Sequence, residues 1–505
     1  MTSHDALEIE RKYDVTEATP LPELHTISGV RRVDQPVEHT LEAVYFDTDD
    51  LTLAANHITL RRRTGGDDAG WHLKLPQSGD TRRELHEPLG VDRHRVPEAL
   101  LRRVRVHLRD RALTPVVRLH TRRIVRGLRG DSGQVLAVFC DDHVTSERLV
   151  PASAAESWRE WEMELVEGGA TVLDAAESLF AAAGIRRSPS ASKLARSLGD
   201  RLPPQRATPQ WITDRKTAAH ALLSYLDEHV HALIAQDPLV REGGPDAVHD
   251  LRIAIRRLRS ALATYRLLID PDVAARLRAE LQWLGAALGT SRDIQVINAR
   301  LDTLVGDEAP ALVLGPVRNR IDDQLGEDFA AARHRGLEAL DSTRYFDLLD
   351  AFDALLASPP LTDLAGRSAE RVIPRLIERE SRRLRRAARA VRAVTDAGRR
   401  AVALHEVRKS AKRLRYAAEL ARSVRRKPAD RLAAAAENLQ TILGDHQDSV
   451  VARDTLLRLS TQAYLQGENG FSYGRLHAIE EQRAAAAEAQ FRKAWKQFPT
   501  GLAKD

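Results

Sequence analysis

The stretch Leu7-Glu8-Ile9-Glu10-Arg11-Lys12-Tyr13 decides how the N-terminal part of the chain folds. Its side chains alternate with a period of two, and successive side chains of a β-strand point to opposite faces. Leu7, Ile9, Arg11 and Tyr13 therefore share one face, while two carboxylates and an ammonium, Glu8, Glu10 and Lys12, share the other. One such strand reads as a half-exposed sheet with its charges in water. The pattern recurs, however, further along the chain. Arg61 and Arg63 share a face; His72 and Lys74 oppose Trp71, Leu73 and Leu75; Arg82 and Glu84 share a face; Glu160, Glu162 and Glu164 oppose Trp161, Met163 and Leu165. The charges are also sorted by sign, with acids in the first and last strands and bases between them. Closing the sheet would bring the acidic strands together and turn the apolar faces outward against helices. The lumen would then hold a ring of Arg and Lys beside a carboxylate cluster.

Strand patterns extend over 6–14, 40–47, 57–63, 71–75, 82–87, 115–126, 134–142 and 158–166, which favours an antiparallel sheet or barrel. Helical patterns lie at 97–109 and 171–183, the second opening on Thr171 and Asp174 at capping-box spacing. Residues 201–212 carry three prolines and no apolar periodicity. They read as a linker between a domain at 1–200 and a second at 213–500. With 505 residues, 30% charged and 43% hydrophobic, the chain is too long for one core and has the composition of a folded, soluble protein. The single cysteine, Cys140, excludes an intrachain disulfide and a cysteine-based zinc cluster. No apolar run approaches the length of a membrane span, and the N-terminus shows no signal region, so a cytoplasmic protein is expected. The net charge is only +5, but just 10 of the 77 basic residues are lysine. An arginine excess reflects either a GC-rich genome or phosphate recognition, because guanidinium presents a planar fork of donors that matches phosphate oxygens. Position has to separate the two.

From Trp211 onward nothing alternates with period two. Apolar residues recur at three and four, with breaks at Gly243-Gly244-Pro245, Asp270-Pro271, Ser358-Pro359-Pro360 and Lys427-Pro428, as in an all-helical domain. This half repeats. His249, Arg252, Arg256, Arg257 and Arg259 have the same spacing as His405, Arg408, Lys412, Arg413 and Arg415. A Leu-Gly-x-x-x-Asp hexad follows each, at Leu288, Gly289 and Asp293 and at Leu443, Gly444 and Asp448. The expected fold is a duplicated helical bundle. His249, Arg252, Arg256 and Arg259 line up over roughly 15 Å of one helix, beside an apolar stripe of Leu251, Ile255, Leu258 and Leu262. Arg257, Lys409 and Arg413 widen the strip. A solvated face normally mixes signs; a row of like charges suits a linear polyanion. Stacking aromatics are sparse, Tyr265 and Tyr416 being the nearest, which argues against single-stranded nucleic acid.

The charged strands suggest phosphoryl chemistry, since Lys and Arg clamp phosphate oxygens while carboxylates hold a hard cation. Glu8-Ile9-Glu10-Arg11-Lys12 is a full ExExK signature. With Tyr45-Phe46-Asp47-Thr48, Leu60-Arg61-Arg62-Arg63, Lys74, Arg82-x-Glu84, Glu160-x-Glu162-x-Glu164 and Ser192-Lys193, residues 1–200 resemble the CYTH superfamily of triphosphate tunnel metalloenzymes. That resemblance implies an eight-stranded antiparallel tunnel, closed by helices, that hydrolyses or cyclises a triphosphate with Mg²⁺ or Mn²⁺. By position, Lys12, Arg61, Arg63, Lys74, Arg82 and Lys193 would grip phosphates. Either arginine of Thr121-Arg122-Arg123 fits the same role, Arg123 being preferred. Glu8, Glu10, Glu162 and Glu164 would hold metal, with Asp142 a further candidate. Glu84 would orient a basic residue or a water, acting in catalysis with Glu8, Glu10 and Lys12.

The paired basic stripes resemble the two halves of a CHAD domain, over about 213–500. That implies two four-helix bundles related by pseudo-symmetry and a basic surface that binds inorganic polyphosphate through His249, Arg252, Arg256, Arg257, Arg259, His405, Arg408, Lys409, Lys412, Arg413 and Arg415. The histidines would either contact phosphate or buttress their helices, and Asp293 and Asp448 would pair with neighbouring arginines. The expected protein is thus α+β and multidomain, an inorganic triphosphatase acting on tripolyphosphate or a nucleoside triphosphate. Its helical domain would hold polyphosphate, with association with polyphosphate granules implied and neither membrane nor nucleic acid expected as partner. Two other readings share the sequence. One is a non-catalytic polyphosphate binder; the other is a class IV-type adenylate cyclase, for which no adenine pocket is legible.

Overall fold

A computed structural model describes residues 4–150, 154–203, 214–499 and 501. The chain divides into two units, Met1–Ala207 and Thr208–Asp505. Within the expected linker, residues 204–212 lie outside the described residues.

Eight long strands form the first unit: β1 (His4–Val15), β3 (Val37–Asp47), β4 (Thr59–Thr64), β5 (Gly70–Pro76), β6 (Thr81–Glu87), β7 (Thr114–Arg129), β8 (Val135–Arg148) and β9 (Glu156–Leu165). The two-residue strands β2 (Arg32–Val33) and β10 (Arg186–Arg187) add to β7 and β1. The long strands pair antiparallel in the order β1-β6-β5-β4-β3-β7-β8-β9, and β9 returns to β1, closing the barrel. β1 serves both neighbours. Its His4–Ile9 half pairs with β6, and its Glu10–Val15 half pairs with β9, setting Glu10 opposite Glu164 and Lys12 opposite Glu162. The seam thus runs through the alternating stretch that opened the sequence.

The apolar faces turn outward and are covered by helices, as the alternation requires. Trp71, Leu73, Leu60 and Phe46 pack against Leu100, Val104 and Leu108 of α2 (Glu98–Leu108), which lies beyond the short helix α1 (Thr52–Ala55). Tyr13, Phe139, Trp161 and Met163 pack against Val172, Leu173, Ala176 and Phe180 of α3 (Ala170–Ala182), with Tyr13 edge-on to Phe180 at 4.7 Å. Full burial of such side chains contributes about 1.5–3 kcal/mol each, so the core lies outside the barrel and leaves the lumen to the charges. Asp47 of the Tyr-Phe-Asp-Thr stretch is structural. Its buried carboxylate accepts hydrogen bonds from the N–H groups of Thr48, Leu53 and Ala54 at 2.7, 2.8 and 2.9 Å, tying β3 to α1. The capping box expected at Thr171 and Asp174 does not form. Gly169 is the N-cap of α3, and Asp174 instead pairs with Arg11 at 2.8 Å, because the outward-facing guanidinium needs a partner beside the helix.

The second unit is helical: α5 (Ala218–Glu242), α6 (Ala247–Thr264), α7 (Pro271–Ala287), α8 (Gly289–Gly306), α9 (Val317–Leu340), α10 (Thr343–Ala357), α11 (Ala369–Val391), α12 (Ala397–Leu420), α13 (Arg426–Leu465) and α14 (Phe471–Lys496), following α4 (Lys193–Leu198) of the first unit. Helices α5 to α9 correspond to α11 to α14, with α7 and α8 together matching α13. The first copy breaks at Leu288; the second runs through Leu443-Gly444 unbroken. Pro428 lies in the first turn of α13, where a missing N–H costs nothing. Each bundle draws on both halves of the repeat. α8 and α9 share one core with the C-terminal part of α13 and with α14, while α5 and α6 pack with α11 and α12. Among the described residues no helix is long and apolar enough to cross a membrane.

Candidate functional site

Inward-facing residues of every long strand except β3 and β8 contribute charge to the lumen; β3 supplies Tyr45, and Asp142 of β8 lies behind the wall. The lining comprises Glu8, Glu10, Lys12, Arg61, Arg63, Lys74, Arg82, Glu84, Arg123, Glu162, Glu164 and Lys193, together with Tyr45, Thr59, Asp68 and Ser192. Lys12 donates to Glu10 at 2.8 Å and contacts Glu162 across the seam. Lys74 donates to Glu8 at 2.7 Å. Arg123 forks onto Asp142 at 2.7 and 2.6 Å and reaches Glu162 at 2.5 Å. Arg61 is held loosely, 3.4 Å from the Tyr45 hydroxyl and 3.7 Å from Glu84. Arg63 pairs with Asp68. Arg82 donates to the Ala191 carbonyl at 2.8 Å. Glu84 lies 3.0 Å from His72 and 3.9 Å from Lys74.

Lys193 opens α4, whose N-cap Ser192 accepts from the Ala195 N–H at 3.0 Å. Three acids, Asp142, Glu160 and Glu162, converge there within 4.8 Å, close enough to share a metal ion. The Lys193 ammonium already sits among them, at 2.8, 2.8 and 2.6 Å. Asp142, counted from sequence among the metal ligands, is fully buried and does not line the lumen; it anchors Arg123 and Lys193. Alternation along β9 already put Glu160 on the inner face. Asp68, in the β4–β5 loop, carried no periodic signal.

Two like-charge clusters face each other in this lumen. Burial, and then Arg61 and Arg123, push the Arg63 guanidinium down to about 9. On the other side, burial and then Glu8 push the Glu164 carboxyl up to about 7, and burial with Glu10 and Glu84 raises Glu8 despite Lys74. Glu10 behaves oppositely: burial would raise it, but Lys12 and Lys74 hold it at about 2. Burial opposes ionisation of Glu162 too, and is overruled by Lys12, Lys193 and Arg123. Glu8, Glu10 and Glu164 thus form a carboxylate group in which Glu164 has no ion-pair partner among the described residues, and the arginines form a complementary anion-attracting group.

In the helical unit the two basic stripes lie on α6 and α12, which pack together. Arg252 donates to the Gly289 carbonyl at 2.8 Å and to Asp293 at 3.0 Å. Arg408 lies against Gly444 in the same way: a Cβ at either glycine would stand 3.4 Å from the guanidinium. The Leu-Gly-x-x-x-Asp hexad is therefore the seat of the arginine one helix away. Asp293 forms the expected pair, whereas Asp448 lies in the field of Arg408, Arg300 and Lys412 without a direct ion pair among the described residues. Arg257 and Arg415 both pair with buried Glu419, at 3.0 and 3.1 Å, flanking the Tyr416 ring. Arg413 pairs with Glu380 at 3.0 Å.

Between the stripes opens a cleft of about 430 Å³, lined by Arg256, Arg259, Arg278, Arg383, Lys409, Lys412 and Arg413, with Glu406, paired to Lys409, the one carboxylate on its wall among the described residues. Arg256, Arg259, Arg278, Arg383 and Lys412 have no acidic partner within 4.0 Å among the described residues. Burial, then Arg408 and Arg256, hold the Lys412 ammonium down to about 7. His249, Arg252, Arg257, His405, Arg408 and Arg415, expected in the binding surface, do not line the cleft. Burial and nearby cations push both imidazoles toward the neutral form. Arg278 and Arg383 escaped the sequence reading because each comes from a helix without the repeated pattern.

The CYTH domain family matches residues 6–198, and the CHAD domain family matches residues 224–457. The uncharacterised proteins MT2285 and Rv2226, from two strains of Mycobacterium tuberculosis, are each 39% identical over 514 aligned residues, covering 99% of this chain and 97% of theirs. Among solved structures, PptA from Streptomyces chartreusis is similar at 24% identity and a TM-score of 0.48, covering 56% of this chain and 99% of its own.

Proposed function

This chain belongs to the family that joins a CYTH domain to a CHAD domain, and from that premise we propose a metal-dependent inorganic triphosphatase that carries its own polyphosphate-binding domain. Hydrolysis is assigned to residues 1–200 and polyphosphate binding to 213–500. One observation carries the hydrolytic reading: a closed lumen shared by arginines and carboxylates, in which Arg63 is disfavoured as a cation by burial beside Arg61 and Arg123, and Glu164 as an anion by burial beside Glu8. A polyphosphate chelating a divalent cation relieves both at once.

Glu8, Glu10 and Glu164 fit the cation, since Glu164 is charged only at a cost that a cation removes. When bound, Mg²⁺ or Mn²⁺ neutralises oxygens on the phosphoryl group under attack. Arg61, Arg63 and Arg123 hold the remaining phosphates and stabilise the charge that grows on the leaving diphosphate as the P–O bond breaks. Lys12 and Lys74 sit between the clusters, fixed by Glu10 and Glu8, and Glu84 holds Lys74 and Arg61 on line. Water supplies the new P–O bond, giving phosphate and diphosphate from tripolyphosphate. The direct test is release of both products from tripolyphosphate by purified protein with Mg²⁺ or Mn²⁺. Tight substrate binding without release would make the tunnel a binding site only.

The cleft between α6 and α12 suits an extended polyanion, and its affinity is expected to depend on pH. Lys412 faces Arg408 and Arg256 and, more distantly, Arg252 and Asp448. Its ammonium form is favoured by a bound polyanion, so above about pH 7 the free protein must take up a proton to bind. Affinity therefore falls as pH rises from 7 to 9, by at most about tenfold per unit for one proton. Polyphosphate titrations across this range should show the slope, and Lys412→Arg should flatten it. Arg256→Glu with Lys412→Glu should weaken polyphosphate binding while tripolyphosphate hydrolysis continues; joint loss would show that the two sites are one.

A further inference from the structure

Helix α11 carries a second basic face that the repeated pattern does not include. Its apolar stripe, Val372, Ile373, Leu376, Ile377, Leu384 and Ala388, is buried, which fixes the opposite face outward. On that face stand Arg371, Arg375, Arg379, Arg382, Arg386 and Arg389, all exposed and spaced by three or four residues. They form one stripe about 27 Å long at the rise of an α-helix. None has an acidic partner within 4.0 Å among the described residues. Of the helix's own three carboxylates, Glu378 is turned to Arg385 at 3.4 Å and Glu380 to Arg413 at 3.0 Å, while Glu370 stands in the first turn with no basic partner within 4.0 Å among the described residues. Like charges three and four apart destabilise a helix, and helical arginines elsewhere offset this with carboxylates, as Arg344 does with Glu280 at 2.6 Å and Arg102 with Glu98 at 3.4 Å. A solvated surface does not account for an uncompensated row of this length.

We propose that the arginine face of α11 is an extension of the polyphosphate cleft, engaged only by chains long enough to run out of the cleft past Arg383 and along the helix. This rests on the polyphosphate reading of the cleft. Arg383 joins the two surfaces: it lines the cleft and lies on α11 next to Arg382. Residues 369–391 contain no aromatic side chain on which a base could stack, so the face reads backbone charge alone. An inorganic chain, flexible and charged at every unit, fits a straight row of guanidiniums that begins in a polyanion cleft. Tripolyphosphate cannot span both surfaces, so selectivity for long chains becomes a property of α11.

The test compares long-chain with short-chain polyphosphate binding in EDTA for the full-length protein, for Arg375→Glu/Arg379→Glu/Arg386→Glu, and for the cleft pair Arg256→Glu/Lys412→Glu. The α11 variant should lose about tenfold or more in long-chain affinity and show a shallower salt dependence, while short-chain binding and tripolyphosphate hydrolysis stay unchanged. The cleft variant should lose both chain lengths. Circular dichroism checks the fold, and the corresponding triple change to Lys should restore long-chain binding. Unchanged long-chain affinity in the α11 variant overturns the proposal while leaving the cleft reading intact. Failure of the unmodified protein to bind either chain overturns both. Loss of duplex DNA binding with polyphosphate binding preserved would assign the face to nucleic acid instead.

Discussion

Lys193→Met is expected to lower the stability of the tunnel domain by about 3–5 kcal/mol, the cost of leaving buried charge without its partner. Among the described residues Lys193 is the one cation in contact with all three of Asp142, Glu160 and Glu162, and it is 8% exposed. Arg123 and Lys12 remain to serve Asp142 and Glu162, but among the described residues Glu160 keeps only Arg196, at 3.9 Å, and the Trp158 N–H. The pH dependence has a definite sign. In the native protein Asp142 and Glu162 are held below their ordinary range, so they stabilise the fold above the unfolded carboxyl values near 4 and lose that contribution as pH falls through the folded ones. Without the ammonium both carboxyls rise toward their ordinary range, with Arg123 and Lys12 still beside them. The deficit is then fully present above about pH 4 and shrinks as pH falls through the native folded values. Urea unfolding at pH 7 and pH 3 would show this, and an equal loss at both would assign Lys193 a packing role only.

Glu10→Gln is expected to reduce tripolyphosphate hydrolysis by about a thousandfold while the barrel stays folded. The amide has nearly the volume of the carboxylate and still offers Lys12 an oxygen, and Lys12 keeps Glu162 as its counter-charge. What disappears is one negative charge from the group Glu8, Glu10 and Glu164, and with it affinity for a divalent cation. The Glu164 carboxyl loses a repelling neighbour, so its raised position relaxes downward. Metal titration of activity separates the causes: activity recovered only at a higher Mn²⁺ concentration places Glu10 in cation binding. Hydrolysis at the native rate would remove the scheme altogether.

Much of the barrel was legible because strand alternation is a local signal and sorting by sign is a sequence-wide one. Glu8, Glu10, Glu162 and Glu164 announced both their face and their meeting at the seam. Which cation meets which anion was not legible. Lys193 reads equally as a phosphate ligand or as the centre of an acidic triad, and Asp142 as a metal ligand or an anchor, because pairing depends on side-chain reach across strands. Helix periodicity revealed the two stripes on α6 and α12, and it explained neither hexad until Arg252 and Arg408 were seen lying on Gly289 and Gly444. The mixing of repeat halves within each bundle was hidden for a related reason: Ile297 and Leu456 are each simply core positions until the fold sets them in one cluster. Arg278 and Arg383 belong to helices without the repeated basic pattern, where one residue's position gives no sign of the cleft it faces.

The division of β1 between two partners has a consequence for synthesis. A nascent chain that has emerged only as far as β8 carries every tunnel arginine, yet half of β1 still has no neighbour, and Glu162, Glu164 and Lys193 have not emerged. Enclosure and chemistry arrive in the same event, when the last strand docks against the first. Until then the arginines already displayed stand on an open sheet with no enclosed chamber around them.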